Sequence, residues 1–413
     1  MSCEKTINSK DILRNILNLK QLTFEVTDNC NLKCKYCGYG ELYSWYDARE
    51  AKNMSFDDIK LLLDHIIELW RMYEVDNSSY QTYISFYGGE PLMNTAFIKE
   101  VIGYIRDNNV KRGIKYSMTT NAVLLDKHMD FLVENDFHLL ISLDGNKEAN
   151  SYRTCKNGAE SYQIIIRNIK SLQAKYPEFF VRRVNFNSVL HNRNSVETIL
   201  EYFKSEFDKV PSIAELNSSG ISEEARAEFE AMYNNKQQNI KQSSRCDKLE
   251  TSLMMSDPQI RSLYLFLRQY SGNVFNSYSE FFIDKNVLPI IPTGTCTPFS
   301  KKMFVTVSGK ILQCEKINHK YYCGKVCADK LSLDLGQIAN NFNELVGKRK
   351  SLCSVCYKRR NCSQCVFYLD ENYTKCPGFS NKSGFEEYAA SCMTSLHYAP
   401  HLYETLITKV KLI

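Results

Sequence analysis

Between residues 22 and 207, short β-rich runs alternate with stretches whose apolar residues recur at helical spacing, and few architectures accept that order. Residues 22–26, 82–86, 115–119, 138–143 and 182–190 read as strands. Residues 55–73, 95–106, 126–135, 161–175 and 195–207 read as helices. In the first helix Ile59, Leu62, Leu63, Ile66, Ile67 and Trp70 fall on one face. Ser55 is placed to cap it, with Asp57 and Asp58 at the favourable end of its dipole. Strands separated by helices of this length imply βα units and a parallel sheet, and five or six units make a full or partial barrel. In such sheets chemistry gathers at the carboxyl ends of the strands.

Cysteine usage narrows the chemistry. Sixteen cysteines in 413 residues are too few for a disulfide scaffold, which exceeds roughly 8–10% of a short secreted chain. Their placement is uneven. Cys30, Cys34 and Cys37 form one knot just after the first strand, and ten more fall between Cys296 and Cys392. Clustered thiols in a reducing compartment point to metal ligation or catalysis. Cys3, Cys155 and Cys246 stand alone and read as inert buried thiols.

The knot has Cys-x3-Cys-x2-Cys spacing. Three thiolates on one tight loop hold three irons of a 4Fe–4S cluster and leave the fourth open for chemistry. Structural zinc calls for a fourth Cys or His nearby, and none lies between Ala51 and His65. With Tyr36 before the third cysteine, this segment resembles the signature of the radical S-adenosylmethionine (SAM) superfamily, and the resemblance covers most of residues 20–200. Gly88-Gly89-Glu90-Pro91 is similar to the family's GGEP motif, which implies contact with the amino group of SAM. Thr120-Asn121-Ala122 resembles its TNG-type element. Ser142-Leu143-Asp144-Gly145 resembles the SLDG element, which with Arg153 is implied to hold the ribose and carboxylate of SAM. Ala149 and Asn150 stand where relatives carry His-Asp. The implied chemistry is one-electron cleavage of SAM to a 5′-deoxyadenosyl radical that abstracts hydrogen from a substrate.

The later cysteines run Cys296-x12-Gly309-x4-Cys314, then Cys353-x2-Cys356-x5-Cys362-x2-Cys365, then Cys376. This resembles the SPASM extension of radical SAM peptide and protein modifiers, which carries one or two auxiliary 4Fe–4S clusters, although the family's last spacing is usually x3. By resemblance Cys353, Cys356, Cys362 and Cys376 close one cluster, and Cys296, Cys314 and Cys365 hold the other. The second set lacks a ligand: Cys323 or Cys327 fills it, or one iron stays open to a substrate thiolate, a soft donor suited to iron. Cys392 is a spare candidate. Cys-x2-Cys pairs also suit zinc ribbons.

The expected fold class is therefore α/β: a partial (β/α)6 TIM-like barrel followed by a cysteine-rich SPASM domain. The expected division is an N-terminal extension over 1–20, the barrel over 21–209, a helical bridge over 210–290, the auxiliary-cluster domain over 291–385 and a tail over 386–413. Gly294-Thr295-Cys296-Thr297-Pro298-Phe299 and Cys314-Glu315-Lys316 resemble maturases of ribosomally made peptides, especially thioether formers. Sulfatase-maturating relatives carry Asp where Glu315 stands, and a carboxylate there implies a catalytic base. Thioether formation on a precursor peptide is the leading expectation. A carbon–carbon crosslink and oxidation of a sulfatase-type residue are the alternatives. Only 29 residues precede Cys30, so leader recognition is expected to fall to a separate protein, to the bridge, or to be absent. A flavodoxin or ferredoxin is the expected electron donor.

A net charge of +5, with cations spread among acids and no RNA-stacking motif, gives no reason to expect nucleic acid. No run approaches the roughly 18–20 apolar residues of a membrane helix, and the N-terminus has no signal-peptide core. A cytoplasmic location is the expectation. From a different class, an iron–sulfur electron carrier without SAM chemistry, or a zinc protein, stays open.

Overall fold

The computed structural model describes residues 6–73, 81–108, 110–243, 249, 253, 257–270, 294–369 and 375–408. Cys3, Cys246 and much of the expected bridge lie outside them. The chain forms two compact units, one of residues 10–252 with 298–335, the other of residues 1–9, 253–297 and 336–413.

The first, the α/β unit, is built on strands β1 (Gln21–Thr27), β2 (Leu32–Cys34), β3 (Gln81–Gly88), β4 (Gly113–Thr120), β5 (His138–Ser142), β6 (Arg153–Cys155), β7 (Val184–Leu190), β8 (Ser212–Glu215), β9 (Met303–Val305), β10 (Lys310–Leu312), β11 (Gly324–Cys327) and β12 (Lys330–Ser332). Ten of them form one sheet in the order β12-β11-β10-β9-β1-β3-β4-β5-β7-β8. From β1 to β8 every neighbouring pair is parallel, which gives the six-stranded open barrel that the sequence implies. β9 adds parallel to β1, and β10 to β12 continue as an antiparallel meander. Residues 298–335, expected with the auxiliary-cluster domain, are thus compact with the barrel strands.

Helices α1 (Ser9–Leu17), α2 (Phe56–Met72), α3 (Thr95–Asp107), α4 (Leu125–Glu134), α5 (Tyr162–Lys175), α6 (Pro177–Arg183) and α7 (Val196–Phe207) fill the connections. In α2, Ser55 Oγ accepts from Asp58 N while Asp58 returns the bond to Ser55 N, a reciprocal capping box. Its buried face consists of the six apolar residues read from the sequence, each worth about 1.5–3 kcal/mol when fully removed from water. On β1, Leu22, Phe24 and Val26 face the helical layer, where Phe24 meets Phe97 edge-on at 5.8 Å. Thr23, Glu25 and Thr27 alternate to the opposite face.

The expected strand over 182–190 is shorter than its apolar run. Residues 177–183 coil instead into α6, because Pro177 suits a first helical turn and Phe179 and Phe180 bury on one side.

In the cysteine-rich unit, helix Pro258–Tyr270 and helices Lys382–Tyr398 and Pro400–Thr408 share an apolar cluster of Ile260, Leu263, Tyr264, Phe266, Leu267, Cys392 and Leu406. The last two helices break at Ala399, ahead of Pro400, so His397 and His401 stand on separate helices. Cys392 is buried within this cluster.

Candidate functional site

The loop bearing Cys30, Cys34 and Cys37 follows the carboxyl end of β1 and is held from three sides within the α/β unit. From one side come Gly88 and Gly89. Gly89 N donates to Thr27 O at 2.8 Å and Glu90 N to Asn29 O at 2.9 Å. A Cβ on residue 88 would stand 2.3 Å from the Thr27 carbonyl oxygen, and one on residue 89 would stand 2.0 Å from that of Asn29. Only glycines let the two backbones approach this closely. From a second side β2 pairs antiparallel with β6, setting Cys34 opposite Arg153.

The third support is Asn121. Glu90 is buried, and each of its oxygens is used: Oε1 accepts from Leu92 N (3.1 Å) and Thr120 Oγ1 (2.7 Å), and Oε2 from Asn121 N (2.7 Å). Burial pushes its carboxyl up to about 7, against the pull of those three donors. Asn121, so fixed, donates from Nδ2 to Asn31 Oδ1 at 2.7 Å and lies 3.7 Å from Cys30 Sγ. Pro91 opens a buried 3₁₀ turn just beyond Glu90. Ala122 takes the left-handed backbone, φ 62°, a conformation for which the TNG-type glycine is suited.

Beneath the loop, Asp144 organises a second network. Arg153 Nε and Nη2 donate to its two oxygens at 3.0 and 2.8 Å, Val189 N donates at 2.9 Å, and the Tyr36 hydroxyl also donates to it. His191, fully buried, stacks on Tyr36 with ring centroids 5.7 Å apart and sets Nε2 3.7 Å from Asp144. Burial alone would raise the Asp144 carboxyl, but Arg153 and these hydrogen bonds hold it at about 2. Both oxygens therefore face protein donors, so Asp144 orients Arg153 and Tyr36. Asn150, where relatives carry Asp, accepts from Asp144 N at 3.4 Å. Ser142 ends β5 opposite Asn187.

Burial pushes Cys30 up to about 11 and Cys34 to about 12. The Cys37 sulfur adds to both, and the Arg153 guanidinium pulls Cys34 back. The three sulfurs are thus close enough to feel one another. A metal that binds them must displace their protons, as thiolate ligation requires.

A profile of the radical SAM superfamily matches residues 24–205. Residues 24–205 are a radical SAM domain. A cysteine-type anaerobic sulfatase-maturating enzyme of Clostridium novyi is 33% identical over 193 residues, 45% of this chain and 48% of its own. The radical SAM cyclopropyl synthase TigE of Paramaledivibacter caminithermalis is 27% identical over 179 residues, 42% of this chain and 35% of its own. This chain therefore spans about half the length, or less, of these curated relatives. Among solved structures, native anSMEcpe with bound AdoMet shares the fold, with a TM-score of 0.59 at 19% identity over 94% of this chain and 100% of that one.

The radical SAM domain implies SAM and a 4Fe–4S cluster, and the donors present suit both. Cys30, Cys34 and Cys37 supply three soft sulfur ligands on one loop, and the Asn121 amide points at that loop. Among the described residues no three His, Cys, Asp or Glu side chains converge on a point that one metal ion would fill. A polynuclear core, whose irons each take their own thiolate, does not ask for that convergence.

Glu315 also belongs to the α/β unit. It lines a cavity of about 670 Å³ that runs from Thr23, Ser85 and Ser117 to His138 and Val184 at the amino ends of β5 and β7, and whose lining includes none of the cysteine-knot or SAM-motif residues. Burial raises its carboxyl, but Lys302, donating to both oxygens at 2.9 and 2.8 Å, brings it below the usual carboxylate range. Adjacent Cys314 is pushed up by burial to about 12, with the Glu315 charge adding.

In the cysteine-rich unit Cys353, Cys356, Cys362 and Cys376 line one cavity. Burial raises Cys353 to about 11, and its three neighbours add to it. Cys296 and Cys365 belong to this unit too, joined by Val366 N donating to Thr295 Oγ1 at 2.7 Å. Cys314 and Cys323 belong to the α/β unit. Cys327 is exposed on β11.

Sequence reasoning passed over His191, Asn31 and Lys302. His191 carries one usable signal, its place just past the carboxyl end of β7. Asn31 and Lys302 carry none, since their partners are distant in the chain.

Proposed function

We propose that this chain is a radical SAM maturase that modifies a ribosomally made precursor peptide by joining a Cys sulfur to a carbon activated by hydrogen abstraction. The observation that supports the reading best is the Glu315 carboxylate, paired with Lys302 at both oxygens and lining a cavity within the same unit as the Cys30–Cys37 loop. When bound, SAM and the cluster supply one-electron cleavage and a hydrogen-abstracting species. The chain's own residues do the rest. Arg153 and Asn121, fixed by Asp144 and Glu90, would bind and orient SAM. Glu315 takes the proton of the substrate thiol once one of its oxygens is released from Lys302, which holds both in the resting site. Thioether formation removes two hydrogens in all: one leaves as an atom, the other as a proton to Glu315 and an electron. A C-terminal cluster, which Cys353, Cys356, Cys362 and Cys376 would hold, would accept that electron. The radical chemistry calls for an external one-electron donor, and a flavodoxin or ferredoxin fits.

A second reading, oxidation of a protein cysteine, is favoured by the same carboxylate and by similarity to the sulfatase-maturating enzyme. Anaerobic incubation with SAM, a strong reductant and a Cys-containing candidate peptide separates the two. Loss of two hydrogens with sulfur retained and the thiol blocked to alkylation is expected. Loss of sulfur supports the second reading. A carbon–carbon crosslink would lose two hydrogens but leave the thiol free. Failure to release 5′-deoxyadenosine would sink all three.

A further inference from the structure

Arg349 is the largest of the fully buried side chains, 1% exposed. It stands directly before the helix Lys350–Ser354, and Cys353 N donates to its carbonyl at 2.9 Å. Its Nη1 donates to the Lys375 carbonyl at 3.3 Å, next to Cys376. Its side chain lines the cavity that Cys353, Cys356, Cys362 and Cys376 share. Four thiolates bring more negative charge than an oxidised 4Fe–4S core neutralises, and the excess grows on reduction.

We propose that Arg349 is the built-in counter-charge of a cluster held by Cys353, Cys356, Cys362 and Cys376, stabilising its reduced state and so raising its reduction potential. This rests on reading those four cysteines as cluster ligands. It assigns Arg349 a positioning and tuning role, apart from the reacting atoms. Lys retains the charge and Met retains much of the volume, so the two substitutions separate charge from packing.

The test uses the full chain with Cys30, Cys34 and Cys37 changed to Ala, reconstituted with iron and sulfide without oxygen. A redox titration followed by electron paramagnetic resonance tracks the signal that a further Cys376→Ala change removes. Expected is a more negative midpoint in Arg349→Met, or loss of that iron with helicity unchanged, while Arg349→Lys stays near the parent. A parental midpoint in Arg349→Met overturns the proposal. Equal loss in both variants also overturns it, because packing rather than charge would then be the role. A parent with no iron at these thiols ends the four-cysteine reading and the proposal with it, a result distinct from the other two.

Discussion

Gly89 sits with its α-carbon against the backbone of Asn29, leaving 2.0 Å between the Asn29 carbonyl oxygen and the position any Cβ would occupy. The loop that presents Cys30 can follow its course only while residue 89 has no side chain. Gly89→Ala is therefore expected to displace that loop and lose about four irons per chain from the N-terminal site. Iron at the C-terminal cysteines and the circular dichroism spectrum should change little. Full iron loading in the variant would show that the loop yields without harm.

Asp144 and Arg153 form a buried pair with two hydrogen bonds. Asp144→Asn removes the charge and strands the guanidinium, a change that costs about 3–5 kcal/mol in buried pairs. Urea unfolding should show a lower midpoint with an unchanged slope. A loss under about 1 kcal/mol would mean that another group compensates Arg153.

The same carboxyl carries a pH signature. Its folded value of about 2 lies below the roughly 3.9 of an unfolded Asp, so it binds protons more readily once the chain unfolds. Its contribution is complete above about pH 4 and is lost as pH falls toward 2, by roughly 2–3 kcal/mol. Stability measured across that window should fall less steeply in Asp144→Asn than in the parent. Identical slopes would remove Asp144 as the source.

Glu315→Gln keeps the shape of the side chain and removes the base. Product formation is expected to drop by about 10²–10⁴-fold, while iron content and 5′-deoxyadenosine release persist. Mass spectrometry of the peptide alongside nucleoside quantification checks the split. Parental product yield would exclude Glu315 as proton acceptor.

Ser55→Ala breaks the reciprocal cap at the start of α2. The expected cost is about 0.5–2 kcal/mol, read by thermal or urea unfolding, with no change in iron content.

Local signals carried much of the architecture into the sequence. The α2 face and its cap are written within one segment, and so are the glycines that close β3. The α6 turn was hidden because Val181 to Arg183 continue an apolar and basic run that also suits a strand. The β2–β6 pair escaped notice because three-residue strands have no periodicity to read. In the candidate site, Glu90, Asn121, Asp144 and Arg153 were legible as motif residues. Their division of labour was not, since it depends on which oxygens are already occupied: Asp144 and Glu90 meet backbone and side-chain donors rather than open space. His191 and Lys302 join through contacts between distant segments, and no sequence spacing encodes those.

The pairing of β1 with β9 has a cost in time. Leu22 meets Met303, a residue that emerges from the ribosome roughly 280 positions later. At about 5–20 residues per second the outer edge of β1 stays bare for roughly 15–55 s of synthesis. An uncovered edge is a template for pairing with other chains. A nascent chain of this design is thus most prone to aggregate late in translation, when its parallel strands are complete but the segment that seals them is still being made.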